Sequence, residues 1–196
     1  MSDAYEQVTI RSRAEWRAWL AEHHATAPGI WLVTYKKGRG PHVPYDEVVE
    51  EALAHGWIDG KGRRLDDDRF RLLLTPRRPA SKWSRVNKER IERLTEAGLM
   101  TPAGAAVVEA AKASGTWTAL DLVEELHEPD DLRAAIDAEA GARRHWDAFP
   151  RSARRAILEW IGDARRPETR ARRVTETATL AAQGVRANQW PRRRDR

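Results

Sequence analysis

The chain has 196 residues and a mass of 22.3 kDa, with 35 Lys and Arg against 30 Asp and Glu, a formal net charge of +5. Its 41% hydrophobic and 33% charged residues exclude a disordered tail, and no run approaches the roughly 18 apolar residues of a spanning helix. It contains no cysteine, which excludes disulfides, thiolate catalysis and zinc sites built on Cys.

Ser12-Arg13-Ala14-Glu15 has the form of a capping box. Beyond it Trp16, Trp19, Leu20 and His23 recur at helical spacing, and Pro28-Gly29 ends the helix. Ile30 to Lys36 is rich in β-branched and aromatic residues and reads as a strand. Gly38-Arg39-Gly40-Pro41 is a loop. A second helix starts at Asp46, carries Val48, Val49, Ala52 and Leu53, and stops at Gly56.

Trp57-Ile58-Asp59 and Arg69 to Thr75 read as antiparallel strands joined through Gly60-Lys61-Gly62 and the turn Asp66-Asp67-Asp68. Alternation puts Phe70, Leu72 and Leu74 on one face and Arg69 and Arg71 on the other, which is wet at its beginning. Pro76 and Pro79 end the strand. Ser84 caps a helix carrying Val86, Ile91 and Leu94 and ended by Gly98. Thr101-Pro102 opens another, with Val107, Ala110 and Ala111 inward.

Residues 121–131 are acidic and broken by proline, which sets the expected boundary between an α+β domain over 1–124 and a helical subdomain over 125–196. Leu132, Ile136, Trp146, Phe149, Ile157, Trp160, Ile161, Val174, Ala178 and Ala181 are its candidate core. The tail from Gln183 to Arg196 is basic and expected to fray. The expected fold class is therefore α+β: a small antiparallel sheet flanked by helices, then helices only.

Charge is distributed in blocks: net −3 over 1–60, +7 over 61–93, −8 over 94–142 and +9 over 143–196. Two readings stand: mutual neutralisation of neighbouring blocks, or a basic face for an anionic partner. The 29 arginines against 6 lysines point to a GC-rich genome more than to a function. Nine tryptophans are expected partly at pocket walls and element boundaries, because each indole N–H needs an acceptor.

Phosphate loops, dinucleotide fingerprints, zinc-protease helices and nucleophile elbows are all missing from the sequence. His23 and His24 are adjacent and point in different directions on a helix, a poor metal pair. No metal or cofactor is expected. The strongest candidate is Thr75 to Lys88, which leaves a strand, passes two prolines and enters a helix N-terminus. There Arg77, Arg78, Ser81, Lys82, Ser84 and Asn87 offer anion donors, and Trp57 and Trp83 apolar walls. The competing reading is that the serines only cap and the arginines pair with Asp66 to Asp68. Asp59 and His55 are weak acid/base candidates in His55 to Gly60, against a turn carboxylate paired with an arginine. Arg166, Thr169, Arg170, Arg172 and Arg173 form a solvated helix face or a phosphate-contacting one.

W-R-A-W-L (Trp16 to Leu20), G-I-W-L-V (Gly29 to Val33), G-W-I-D-G (Gly56 to Gly60), the Thr75 to Asn87 block, G-L-M-T-P-A-G (Gly98 to Gly104) and R-P-E-T-R-A-R-R (Arg166 to Arg173) occur in order. Together they resemble the YdeI/OmpD-associated (OmdA) family of bacteriocin-protection proteins, over about residues 10–183. The resemblance implies protection against antimicrobial peptides or envelope stress and carries no catalytic residues across. The start MSDAYEQVTI lacks the features of an export signal, so a cytoplasmic protein is expected. The leading expectation is a stress-protection protein that binds an anionic or amphipathic small molecule or peptide in a cleft. An enzyme using Asp59 or His55 is the second. A nucleic-acid binder comes third, because no nucleic-acid module is visible and the acidic 94–142 block offsets half of the basic surplus.

Overall fold

Ser12 Oγ accepts the Glu15 amide at 3.1 Å in the computed structural model, which describes residues 4–189. That cap starts α1 (Arg13–His23) just after β1 (Glu6–Thr9). Then follow β2 (Ile30–Tyr35), α2 (Tyr45–Ala54), β3 (Trp57–Arg64), β4 (Arg69–Pro76), α3 (Arg85–Glu96) and α4 (Pro102–Ser114). The chain separates into two compact units, Met1–Ala119 and Leu120–Arg196.

The sheet runs β1-β2-β4-β3 and is mixed: β1 lies parallel to β2, and the other pairs are antiparallel. The extra parallel strand escapes sequence reading because Glu6-Gln7-Val8-Thr9 is too short and polar to show alternation. Ile30, Leu32, Leu72 and Leu74 cover one face and form a core with Trp16, Leu20, Val48, Ala52 and Trp57. Phe70, on the same face, stays 38% exposed at the sheet's end. On the opposite face Trp31 is fully buried, with the Arg71 guanidinium 4.4 Å and that of Arg63 6.0 Å from its ring centre.

Gly60-Lys61-Gly62 is not a turn. β3 continues through it to Arg64, absorbing the irregularity between Asp59 and Gly62. Glycine at 62 leaves room for the Phe70 ring, since a Cβ there would lie 2.3 Å from it and push the ring aside. The reversal is made by the aspartates: Asp66 Oδ1 accepts the amides of Asp68 and Arg69 at 3.0 and 2.7 Å, and Oδ2 the Arg69 Nε–H at 2.8 Å.

Both α3 and α4 pack on α2. Thr101 caps α4 and donates its hydroxyl to the Ala54 carbonyl at 2.6 Å. Gly104 then meets α2 so closely that a Cβ would lie 2.2 Å from that same oxygen. Between the helices lies a second core of Val49, Leu53, Trp83, Ile91, Leu94, Val108 and Ala111. Two expected inward residues differ: Val86 is 50% exposed, and Ala110 is exposed while Val108 takes the inward position. Glu51, buried on α2, accepts from Arg13 Nε at 2.6 Å and pairs with Arg17 at 3.4 Å, tying α1 to α2.

The second unit holds α5 (Asp121–Glu124), α6 (Asp130–Ala138), α7 (Ala142–Ala148), α8 (Arg151–Gly162) and α9 (Pro167–Ala182). Its core contains every residue that periodicity nominates, Trp160 at its edge. Its charges neutralise one another as the block pattern allows. Arg155 meets Glu124 at 2.9 Å, and Arg143 meets Glu128 and Asp137, both at 2.8 Å. Arg170 grips Asp131 through two bonds of 2.7 and 2.9 Å. Five tryptophans (16, 31, 57, 83 and 146) are core residues rather than pocket walls. The Trp16, Trp57 and Trp146 indoles donate to the Val48 and His24 carbonyls and the Glu128 carboxylate. Residues 190–196 of the basic tail lie outside the described residues.

Candidate functional site

The bend after β4 does not aim its donors at a single hollow. Arg77 turns inward: its guanidinium carbon lies 3.6 Å from the Trp83 ring centre, and Nη2 donates to the Lys82 carbonyl at 2.5 Å. Its Nε and Nη1 are buried without a hydrogen-bond partner among the described residues. Burial pushes the Arg77 pKa down to about 10, with the Asp59 carboxylate pulling against it. Trp83 is a core residue, its ring 4.9 Å from that of Trp117. Trp57 belongs to the other core, with Trp19 edge-on against it.

Ser84 caps α3 through the Asn87 amide, and the Asn87 side chain accepts from Arg90 Nη1 at 2.9 Å. Of the expected set, Arg78 and Ser81 line an open hollow of about 350 Å³, shared with Tyr5, Ile58, Leu73, Thr75 and Pro76. Lys82 lies half-buried beside it in sequence. The aspartate triplet pairs elsewhere, Asp66 with Arg69, Asp67 with Arg64 and Asp68 with Arg39.

His55 is buried at the end of α2, its Nδ1–H donating to the Glu51 carbonyl at 2.9 Å and its ring 5.6 Å from that of His24. Burial lowers its pKa, which favours the neutral ring. Asp59 Oδ2 accepts the Tyr45 hydroxyl at 2.7 Å. With burial the main cause and this bond second, the Tyr45 pKa rises to about 12, so the phenol keeps its proton near neutrality and the pair anchors a ring. On α9, Arg170 is occupied by Asp131 and Arg173 lies on Trp160 and donates to its carbonyl. Arg172 stays exposed.

The ring that Asp59 anchors is a wall of a different pocket, about 280 Å³, at the open end of the sheet. Leu32, Val43, Val48 and Leu72 make its floor; Tyr35, Tyr45 and Phe70 its aromatic walls; Thr34, Lys36, Lys37 and His42 its rim. β2 ends and β4 begins there, so Phe70 pairs opposite Thr34 and brings two distant stretches of sequence together. Lys36 is committed, its Nζ donating to the Asp66 and Asp67 carbonyls at 2.9 and 2.8 Å. The His42 Nδ1–H donates to the Tyr35 carbonyl at 2.6 Å, which turns the other ring nitrogen outward from that bond. Lys37 is exposed and has no ion pair or hydrogen bond among the described residues. Sequence reading missed this pocket; its one local signal is Tyr35-Lys36-Lys37 leading into the Gly38 to Pro41 loop.

This architecture, a mixed sheet with helices followed along the chain by an all-helical unit, is an α+β protein. Residues 8–107 match the family model described as Domain of unknown function (DUF8412), half of the chain, and the protein belongs to that family. Residues 125–184 match the OmdA model, described as Bacteriocin-protection, YdeI or OmpD-Associated. The OmdA match thus takes in the Arg166 to Arg173 block, while the blocks from Trp16 to Gly104 fall in the other family's span. No curated protein and no solved structure matches the chain.

Proposed function

We propose that the protein acts in bacteriocin protection by binding, and that its first unit takes a small anionic amphiphile in the pocket at the open end of the sheet. The OmdA match suggests the protective role. The single observation that carries the binding reading is one hollow combining an apolar floor, three aromatic walls and the free ammonium of Lys37. An ion pair at the exposed rim contributes only about 0–1 kcal/mol. Burying an apolar body against a ring the size of Phe70 contributes about 1.5–3 kcal/mol. The apolar body therefore supplies affinity, and the cation selects the sign of the head group. The Tyr45 hydroxyl is held by Asp59, which fixes one wall before any ligand arrives.

Isothermal titration with decanoate, and with decyltrimethylammonium as the charge-reversed control, tests this. Decanoate should bind at one saturable site and the cation several-fold more weakly. Phe70→Ala should weaken decanoate at least tenfold and Lys37→Glu several-fold. Equal affinity for the two probes, unchanged affinity in Phe70→Ala, or no saturable heat with decanoate overturns the proposal.

A further inference from the structure

A second concave surface lies on the first unit, away from the residues of that pocket. Because α3 and α4 each rest on α2, a groove of about 520 Å³ opens between them. Its floor is apolar: Ile91 and Val108 rise from the core, and Met100 and Trp117 are half-buried beside them. Its rim is acidic. Glu92 and Glu96 project from α3, are exposed, and have neither ion pair nor hydrogen bond among the described residues. Across from them Glu109 is already neutralised by Lys112 at 2.8 Å. The uncompensated charge therefore sits on one side only, in a chain whose overall charge is +5.

The place of that charge adds to its meaning. Glu96 is the last residue of α3, where the helix presents its negative pole, and a carboxylate there is disfavoured in the free protein; Glu92 stands one turn before it. A cation laid along that rim would relieve two carboxylates and the exposed end of a helix together. On α3 the groove is lined from Ile91 to Glu96, about 9 Å of helix, and on α4 from Ala105 to Lys112, about 12 Å. That length matches about two turns of a partner helix whose apolar stripe fills the floor.

We propose that the α3–α4 groove is a docking site for an amphipathic helical peptide that carries lysine or arginine along one flank of its apolar stripe. Glu92 and Glu96 choose the sign of the partner, and the Ile91, Met100, Val108 and Trp117 floor holds its apolar face. The proposal shares no residue with the decanoate pocket, so each can fail without the other.

The test uses the full chain and two fluorescein-labelled 14-residue model helices with the same leucine stripe, one flanked by lysines and the other by glutamates. Fluorescence anisotropy should give saturable binding of the lysine peptide that weakens as salt is raised, and at least tenfold weaker binding of the glutamate peptide. Glu92→Lys with Glu96→Lys changes only exposed positions, and should cost at least tenfold for the lysine peptide while the thermal melt stays cooperative. Lys37→Glu should leave that affinity unchanged. Amide chemical shifts should move in α3 and α4. Equal affinity for the two peptides, an unmoved affinity in the double charge reversal, or shifts confined to other elements overturns the assignment. So does a concentration-dependent dimer that the double reversal dissolves, since the groove would then belong to a second copy of this chain.

Discussion

The two units spend their charges differently. In the second, Arg143, Arg155 and Arg170 close on carboxylates from the acidic stretch before them, and the Trp146 indole donates to Glu128 inside the same network. In the first, Arg77 is buried with two N–H groups lacking a partner among the described residues, against one each on Arg154 and Arg173 of the second, while Lys37, Glu92 and Glu96 stand free beside hollows. Charge closed into local pairs holds helices together; charge left open beside an apolar hollow is available to something outside the chain.

Trp146 carries the largest expected effect. This fully buried ring anchors the second core, and Trp146→Ala should cost about 3–5 kcal/mol in urea unfolding followed by circular dichroism. A loss below 1 kcal/mol would mean the arginine pairs, not the core, carry that unit. Glu51→Ala comes next. It leaves Arg13 and Arg17 without their buried acceptor and should cost about 1.5–3 kcal/mol, since bonds to a charged group are the stronger kind. An unchanged urea midpoint would show that the buried Glu51 and its two arginines matter no more than a surface bridge.

His55 supplies the pH test. Its folded pKa lies below the ordinary 6.5, so below pH 6.5 the unfolded chain takes up a proton that the folded one refuses. Stability should fall as pH drops through that value. Glu51 and His24 are the charged or titratable groups facing the ring, with Arg17 beyond, and of these Glu51 alone opposes the shift. His55→Gln should flatten the acid limb of the stability profile; an identical limb in the variant would remove the buried ring as its cause.

Arg77→Met should fall within about 1 kcal/mol of the wild type in either direction, because an apolar replacement of a buried, poorly paired charge is often neutral or favourable. A loss of several kcal/mol would show that the Trp83 stack and the Lys82 bond outweigh the burial cost. The smallest effect belongs to Glu96→Lys. Reversing a carboxylate at the last residue of α3 should raise stability by about 0.3–1 kcal/mol while abolishing discrimination between the two model peptides. If stability and discrimination both stay put, the acidic rim is only a solvated face.

Much of this could be read before any coordinates. Ser12, Ser84 and Thr101 cap helices because their hydroxyls need only reach an amide three residues on, and Asp66 turns the chain by the same local means. The ten nominated apolar positions of the second unit meet because helical periodicity is itself geometry. The strand β1 was not legible, since its pairing is provided by β2 some 24 residues later and by nothing in its own four residues. The candidate site was the least legible part. The Thr75 to Asn87 segment carries the donors expected of an anion site, yet Arg77 and Trp83 face each other and turn into the protein.

Local sequence sets where the chain starts and stops its helices, where it reverses, and which residues are apolar enough to gather. These are decisions between neighbours a few positions apart, made by hydrogen bonds and periodicity. Which cations stay open and which are spent depends on long-range packing. A pocket needs Tyr35, Tyr45 and Phe70 at one sheet end, and a groove needs two helices resting on a third. Such hollows are what remains after packing, and packing depends on pairs of residues far apart along the chain.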